Sequence, residues 1–253
     1  MIKHEEIKTM QLYRHLDRID RRLKELGYTS KDAPWTRSKE KKVLDIGTGF
    51  GGTARLLAHR SGCKVDALEL QPDLSEAGRE LTRRCGLSDH VTHLNGDFLE
   101  LPLQENGYDA VVGLLCFLHI GHWRQLFQRC YDSLKPGGFL YVDDFFLRGE
   151  SLTNEDELTL KQDIYCADLL RQDEIRAVLK ACGFEKLDFQ DVTIKWRPYV
   201  SDRATQYHAA LETHIARDGE AAAHDLDHFY TRVARLFRAG NVGGYTLIVR
   251  KPL

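Results

Sequence analysis

The sequence predicts an α/β fold with a mostly parallel sheet and helices on both faces. Three observations support this prediction. From residue 42 onward, short apolar runs alternate with helical segments of about 10–15 residues, which is typical of strand–helix–strand units. A glycine-rich stretch directly follows the first apolar run. The 253 residues are 42% hydrophobic and 29% charged, which suits one globular domain that buries a core without cross-links.

The first strands and helices follow one another in a regular order. The predicted strands are residues 42–46, 64–68, 91–94, 110–114 and 139–143. The helices predicted among them are residues 52–59, 73–85 and 123–134. Because helices connect most of these strands, we expect βαβ units and a parallel sheet.

The second half of the chain begins with a polar stretch, residues 149–163, and continues with a predicted helix over 173–182 that Gly183 ends. Two further strands are predicted over 184–189 and 245–249. Helices over 202–216 and 221–237 lie between these strands. We therefore predict a main domain over residues 43–253, with a helical insertion before the last strand, about residues 190–243, as a substrate cap.

The first 42 residues have a helical pattern of their own. One apolar stripe recurs at spacings of three and four residues: Leu12, Leu16, Ile19, Leu23 and Leu26. Gly27 then reads as a stop signal. We predict that residues 1–42 form a helical N-terminal lid.

Charge and composition exclude several classes of partner. The net charge is −2, and no basic stripe with interleaved aromatic residues suggests nucleic-acid binding. No apolar run is long enough to span a membrane, and the charged N-terminus lacks the apolar core of a signal peptide. The six cysteines are scattered without a CxxC pair, which favours reduced thiols over disulfides or a zinc site. We expect a cytoplasmic protein, a monomer or homodimer that binds a small molecule.

The segment VLDIGTGFGG, residues 43–52, carries a strand into a glycine-rich turn and then a helix. Glycines there allow a positive φ and a close approach of a ligand to the backbone. The spacing of Gly47, Gly49 and Gly52 also fits a dinucleotide fingerprint, so the glycines alone do not decide the ligand. Asp45, two residues before Gly47, is not part of that fingerprint, and a buried carboxylate there suits a cationic group such as an amino-acid ammonium.

Two further acidic residues follow the next two strands. Glu69 ends the second strand, where a carboxylate can accept hydrogen bonds from both hydroxyls of a ribose. Asp97 follows the third strand, where it can accept from an adenine amino group with Phe98 against the ring. Together with Asp45, these residues predict a site for a nucleoside that carries a cationic tail.

Five segments in succession resemble the motifs of class I S-adenosylmethionine-dependent methyltransferases, in order and in spacing. They are VLDIGTGFGG, ALEL, GDFLELP, YDAVVGLLCFLHI and LKPGGFLYVDD, and the resemblance covers about residues 43–144. It implies a Rossmann-like, seven-stranded sheet that ends in an antiparallel hairpin. It also implies S-adenosyl-L-methionine as cofactor, S-adenosyl-L-homocysteine as product, and no metal.

The resemblance assigns cofactor contacts residue by residue. The methionine part would be bound by Asp45, Gly47, Thr48, Gly49 and Gly51. Glu69 and Gln71 would bind the ribose, and Asp97 and Phe98 the adenine; Leu114 would offer its backbone carbonyl.

His119 is the predicted catalytic residue. It follows the fourth strand, at the end of the sheet where the methyl group is expected, and an imidazole titrates near neutrality. The segment that contains it, residues 117–146, resembles the phosphoethanolamine N-methyltransferases and the enzymes that methylate sarcosine and dimethylglycine. In the phosphoethanolamine enzymes this histidine acts with a tyrosine of the N-terminal lid, which implies Tyr13 here, with Tyr28 as a lesser candidate. Leu115 stands where those enzymes carry an aspartate.

Four residues are predicted to bind the substrate. Tyr165 and Trp196 are aromatic and suit a methylated ammonium through cation–π attraction. Arg197 suits a carboxylate or phosphate, and Asp144, near the end of the fifth strand, suits an ammonium. Packing in the core or the cap is the alternative role for the aromatic residues.

The leading hypothesis is N-methylation of a small amine. Methylation of oxygen or carbon on a larger hydrophobic or phenolic metabolite is the first alternative, because the same fold supports both reactions. A catalytically inactive partner protein that binds the cofactor, and an NAD-dependent dehydrogenase, are further alternatives.

Overall fold

The computed structural model describes Glu25 and residues 40–253. Within these residues the chain forms a seven-stranded sheet with the strand order β3-β2-β1-β4-β5-β7-β6. The strands are β1 (Lys42–Ile46), β2 (Lys64–Glu69), β3 (Val91–Asn95), β4 (Tyr108–Leu114), β5 (Leu134–Leu147), β6 (Glu185–Asp191) and β7 (Val242–Arg250). β7 is antiparallel to both of its neighbours, and the other pairs are parallel. The predicted Rossmann-like fold with its final antiparallel hairpin is confirmed.

The helices of residues 40–253 connect the strands or form the insertion before β7. They are α1 (Gly52–Ser61), α2 (Pro72–Arg84), α3 (Phe117–Ile120), α4 (Trp123–Ser133), α5 (Asn154–Gln162), α6 (Gln172–Ala181), α7 (Thr193–Ala209), α8 (Leu211–Asp218) and α9 (Glu220–Ala239). None of these helices is long and apolar enough to cross a bilayer. Of the predicted lid, residues 1–42, the structure describes only Glu25 and residues 40–42, and both tyrosines, Tyr13 and Tyr28, lie outside the described residues.

Three elements differ from the predictions. The polar stretch contains a helix, α5, whose start is a capping box between Thr153 and Asp156. β5 begins at Leu134 because the Pro-Gly-Gly segment lies in an irregularity of the β4–β5 pairing, where Tyr108 pairs with Leu134 and Ala110 with Phe139. α7 starts well before residue 202 and includes Pro198.

The strand directions place the helical insertion at one edge of the sheet. β7 runs against β5 and β6, so β6 ends and β7 begins at the edge where the parallel strands end. α7, α8 and α9 therefore leave and return at the carboxyl edge. This is the edge at which α/β sheets bind their ligands.

The core has apolar layers on the two faces of the sheet and a third cluster under the insertion. The central strands β1 and β4 are buried almost throughout, as expected for strands covered by helices on both faces. The third cluster joins α3, β5, α5 and the insertion through Leu118, Phe145, Leu160 and Phe237. The insertion is thus packed against the segment that carries His119.

Candidate functional site

The glycine loop between β1 and α1 has three residues with positive φ. Gly47, Gly49 and Gly51 have φ values of +64°, +56° and +77°. A Cβ on Gly47 would lie 2.4 Å from the Cβ of Cys116, so the loop after β4 packs directly on this glycine. A Cβ on Gly49 would meet nothing within 4 Å, so this part of the loop is open to a ligand.

Asp45 lies beneath this loop with 2% of its surface exposed. Thr48 Oγ1 donates a 2.6 Å hydrogen bond to Asp45 Oδ2, and the backbone of Ala54 also bonds to the carboxylate. Burial raises the pKa of Asp45 to about 7, and these hydrogen bonds oppose the shift. A cation placed beside this carboxylate would favour its charged form.

Glu69 joins the glycine loop to the end of β2. Its Oε2 accepts from the Gly49 N–H at 2.8 Å, and its Oε1 accepts from the Gln71 N–H at 3.0 Å. A carboxylate has about four lone-pair sites, so each oxygen can accept one more hydrogen bond, as from a ribose hydroxyl. Gln71 itself is exposed at the start of α2.

The two residues predicted at the adenine are placed differently. Asp97 is exposed, and its Oδ1 accepts from the Leu99 N–H at 2.8 Å. Phe98 is 4% exposed in the core, with the Arg129 guanidinium 5.5 Å from its ring centroid. Asp97 therefore offers polar atoms at the edge of the sheet, whereas the Phe98 ring packs inward.

The turn after β4 combines backbone strain with apolar exposure. Half-buried Leu114 ends the strand, and Leu115 follows with φ +54° and 49% of its surface exposed. A leucine in the left-handed region costs about 1–2 kcal/mol, and such strain is commonest at functional sites. The Leu115 N–H donates to the Asp143 carbonyl at 2.8 Å, which keeps the turn on β5.

His119 lies in α3, exposed, with one ring nitrogen in a defined contact. Its Nδ1 is 3.1 Å from the backbone carbonyl of Tyr165. A carbonyl only accepts, so Nδ1 carries a hydrogen, and in the neutral imidazole Nε2 holds the free lone pair. Tyr165 has φ +57° and is 76% exposed, so a strained residue borders His119.

Asp144 does not have the role predicted from the sequence. It is fully buried, and its Oδ2 accepts from the N–H groups of Cys116, Phe117 and Leu118 at 3.2, 2.7 and 3.3 Å. Its Oδ1 accepts from the Phe145 N–H at 2.7 Å. Burial raises the pKa of Asp144 to about 7. Because the carboxyl group is enclosed by backbone donors, it has no open side for a substrate ammonium.

Trp196 and Arg197 have partners within the insertion and the sheet. A Cβ on Gly244 would lie 2.2 Å from Trp196 Cε3, and the indole also packs against Phe145 and Phe237. Arg197 Nε donates to the Phe237 carbonyl at 2.8 Å, near the end of α9. These contacts attach α7 to β7 and α9.

Two residues that were not identified from the sequence, His93 and Arg55, contact the glycine loop. His93 Nε2 is 2.8 Å from Thr82 Oγ1, and a Cβ on Gly51 would lie 2.7 Å from His93 Cε1. Burial lowers the pKa of His93 to about 4, so it is neutral at pH 7. Arg55 Nη1 donates to the Phe50 carbonyl at 2.6 Å. The sequence offered one signal for His93: a histidine at a position of β3 where the alternation of apolar and polar residues predicts an apolar one.

The chain is similar in sequence to known methyltransferases over the segment that contains the glycine loop. Residues 43–138 match the family described as methyltransferase domain. A glycine/sarcosine/dimethylglycine N-methyltransferase from Actinopolyspora halophila is 30% identical over 210 residues, which cover 81% of this chain and 36% of the relative. The sterol 24-C-methyltransferase of Saccharomyces cerevisiae is 29% identical over 155 residues, 59% of this chain and 40% of the relative. A sarcosine/dimethylglycine N-methyltransferase from Halorhodospira halochloris is 27% identical over 192 residues, 74% of this chain and 68% of the relative.

Solved structures share the fold. A phosphoethanolamine N-methyltransferase 2 from Haemonchus contortus, solved with phosphomonomethylethanolamine and S-adenosylhomocysteine, has a TM-score of 0.79 at 22% identity. The match covers 88% of this chain and 51% of that one. A putative sarcosine dimethylglycine methyltransferase from Galdieria sulphuraria has a TM-score of 0.78 at 23% identity, covering 97% and 85%. Residues 43–138 therefore match a methyltransferase domain, and the solved structures share the fold of the chain. The chain spans well under half of the first two curated relatives named above.

Proposed function

We propose that the protein transfers a methyl group from S-adenosylmethionine to the nitrogen of a small amine. The observation that carries the proposal is the exposed imidazole of His119, held through Nδ1 at 3.1 Å from the Tyr165 carbonyl. It lies on the turn whose Cys116 packs on Gly47 of the glycine loop. This position supports His119 as a proton acceptor beside the proposed cofactor site.

The cofactor site fits a cationic nucleoside. Asp45 would face the amino-acid end, with Gly47, Thr48, Gly49 and Gly51 giving the loop its shape. Glu69 would accept the ribose hydroxyls with Gln71 beside it, Asp97 would accept from the adenine amino group, and Leu114 would offer its carbonyl. The bound cofactor supplies a methyl group activated by a sulfonium. The enclosed position of Phe98 favours support of the pocket wall over stacking on the base.

His119 would prepare the acceptor. An ammonium has no lone pair, so an amine that arrives protonated has to lose one proton before its nitrogen can attack the methyl group. With Nδ1 bound to the Tyr165 carbonyl, Nε2 is the atom available to take that proton. Tyr13, in the part of the chain outside the described residues, remains the proposed partner of His119.

The insertion α7–α9 is proposed as the substrate cap, because it leaves and returns at the carboxyl edge of the sheet. Residues 1–42 are proposed as the second cover. Trp196 and Arg197 would shape the cap from within, through their contacts to Gly244 and to the Phe237 carbonyl. Tyr165, 76% exposed beside His119, is the proposed aromatic contact of the substrate.

Methylation of carbon or oxygen on an apolar molecule is the second candidate. Leu115, 49% exposed on the strained turn beside α3, favours an apolar group there. An acid at this position would instead favour an ammonium. The sterol methyltransferase among the relatives supports the same alternative.

A methyl-transfer screen tests the proposal. The protein is incubated with S-adenosylmethionine labelled on its methyl group and with glycine, sarcosine, dimethylglycine, phosphoethanolamine, a phenol or a sterol, and products are identified by mass spectrometry. Label on an amine, with inhibition by S-adenosylhomocysteine, supports N-methylation. Label on the phenol or sterol alone would transfer support to the second candidate. Cofactor binding by calorimetry without transfer to any acceptor would favour the inactive partner protein.

A further inference from the structure

The carboxylate of Asp144 reaches the turn that carries His119 and makes no contact that the proposed reaction requires directly. We propose that Asp144 is a positioning residue: it holds the α3 turn so that His119 keeps one orientation and one tautomer. The proposal deepens the proposed function, because its kinetic consequence rests on His119 acting as the base. The tautomer itself can be measured without any methyl transfer.

The short helix α3 needs hydrogen-bond acceptors from outside the helix. This helix has four residues, and the first four N–H groups of any helix lack partners within it. So short a helix is not stable by itself in water. Asp144 Oδ2 accepts from three consecutive N–H groups at its start, those of Cys116, Phe117 and Leu118. One carboxylate from β5 therefore supplies the bonds that the turn cannot make internally.

The opposite side of the α3 turn is held by residues 165–167. The Leu118 carbonyl accepts from the Ala167 N–H at 2.8 Å, and His119 Nδ1 is 3.1 Å from the Tyr165 carbonyl. α3 is thus held by β5 on one side and by residues 165–167 on the other. If the β5 side is released, we expect the distance from His119 to the Tyr165 carbonyl to vary. The imidazole would then exchange between tautomers, because the partner of one nitrogen determines which nitrogen is protonated.

Asp143, the preceding residue of β5, has different hydrogen-bond partners from Asp144. Asp143 is also buried, but successive side chains of a strand point to opposite faces. Its Oδ1 accepts from the hydroxyls of Tyr141 and Thr246, at 2.9 and 2.6 Å. Neither bond involves the α3 turn. Asp143→Asn is therefore a matched control for the loss of a buried carboxylate on the same strand.

The first experiment records the imidazole ¹⁵N resonances of His119 in the full chain, assigned by their loss in His119→Ala. We expect the Nδ1–H tautomer in the unmodified protein and in Asp143→Asn, and a mixture of tautomers in Asp144→Asn. An unchanged tautomer in a folded Asp144→Asn protein would overturn the proposal. This result stands whether or not the protein methylates any substance in the screen.

The second experiment is a double-mutant cycle on single-turnover methyl transfer at saturating cofactor. Asp144→Asn should lower the rate about 10-fold to 100-fold when His119 is present, less than the loss of the base itself, because the imidazole is retained but less well oriented. In the His119→Ala protein the same substitution should lower the rate less than about threefold. Equal losses in both backgrounds would mean that Asp144 acts independently of His119 and would refute the proposal. Asp143→Asn should show no such coupling.

A third measurement covers the case in which Asp144→Asn does not fold. Hydrogen exchange in the unmodified protein reports directly on the amides of residues 116–118. We expect the Phe117 amide, whose bond to Asp144 is 2.7 Å, to exchange as slowly as amides of the central strands. Exchange of this amide at the rate of an exposed loop would contradict the assigned role.

Discussion

Replacing two glycines of the glycine loop and the first glycine of α1 by alanine, one at a time, should change the free energy of unfolding by three different amounts. At Gly47 the alanine has φ +64° and its Cβ 2.4 Å from Cys116 Cβ. Left-handed strain of about 1–2 kcal/mol and overpacking of about 1–3 kcal/mol give a loss of about 2–5 kcal/mol. At Gly49, φ is +56° with nothing within 4 Å, so only the strain of about 1–2 kcal/mol remains.

Gly52 is the matched control with the opposite sign. It is the first residue of α1, its φ is not positive, and a Cβ there meets nothing within 4 Å. Alanine should therefore stabilise the fold by about 0.4–1 kcal/mol, because it restricts the unfolded chain.

Urea unfolding followed by circular dichroism gives the three free energies of unfolding, provided that the m-values agree. The expected order of stability is Gly52→Ala, the unmodified protein, Gly49→Ala, Gly47→Ala. A second substitution, Cys116→Gly, removes the atom that the new methyl group meets and should reduce the cost of Gly47→Ala. Equal losses at Gly47 and Gly49, or no such reduction, would refute the argument from the Cys116 contact.

Three further predictions concern charge, catalysis and packing. The affinity for S-adenosylmethionine should weaken about tenfold per pH unit below pH 7, because a cation binds the ionised form of Asp45, whose pKa in the free protein is raised to about 7. Calorimetry from pH 5.5 to 8 checks this, and a flat profile would contradict it; Asp45→Asn should bind weakly at every pH. His119→Ala should lower turnover by about 10²–10⁴ with little change in cofactor affinity, and near-normal turnover across pH would assign it a packing role. Trp196→Ala should lower the free energy of unfolding by about 3 kcal/mol through lost packing on Gly244, measured by urea unfolding, and unchanged stability would disprove that role.

The order of the sheet and helices could be predicted from the sequence because their signals are local. The apolar runs of β1 and β4 and the helical spacing of α2 are visible within a few residues of chain. The helix α5 was missed although its capping box between Thr153 and Asp156 is also a local signal. From the sequence, that stretch was described only as polar.

The acids at the carboxyl edge of the sheet, where we propose that the cofactor binds, could be predicted for a related reason. Parallel strands end at one edge, so acids at or just after the carboxyl ends of β1, β2 and β3 lie along the same edge of the sheet. Asp45, Glu69 and Asp97 were identified in this way, and the structure places all three near strand ends, with Glu69 bonded to the Gly49 N–H. Their contacts to the cofactor stay predictions.

The sequence by itself determined the strand order along the chain, the glycine loop and the acids at the strand ends, because these depend on neighbours within a few residues. Only the tertiary structure decided that Asp144 faces the α3 turn while Asp143 faces hydroxyls. It also decided that a carbonyl 46 residues away selects the His119 tautomer. These outcomes depend on which side chain of a buried strand points to which face, and on partners distant in sequence, and no local pattern encodes either.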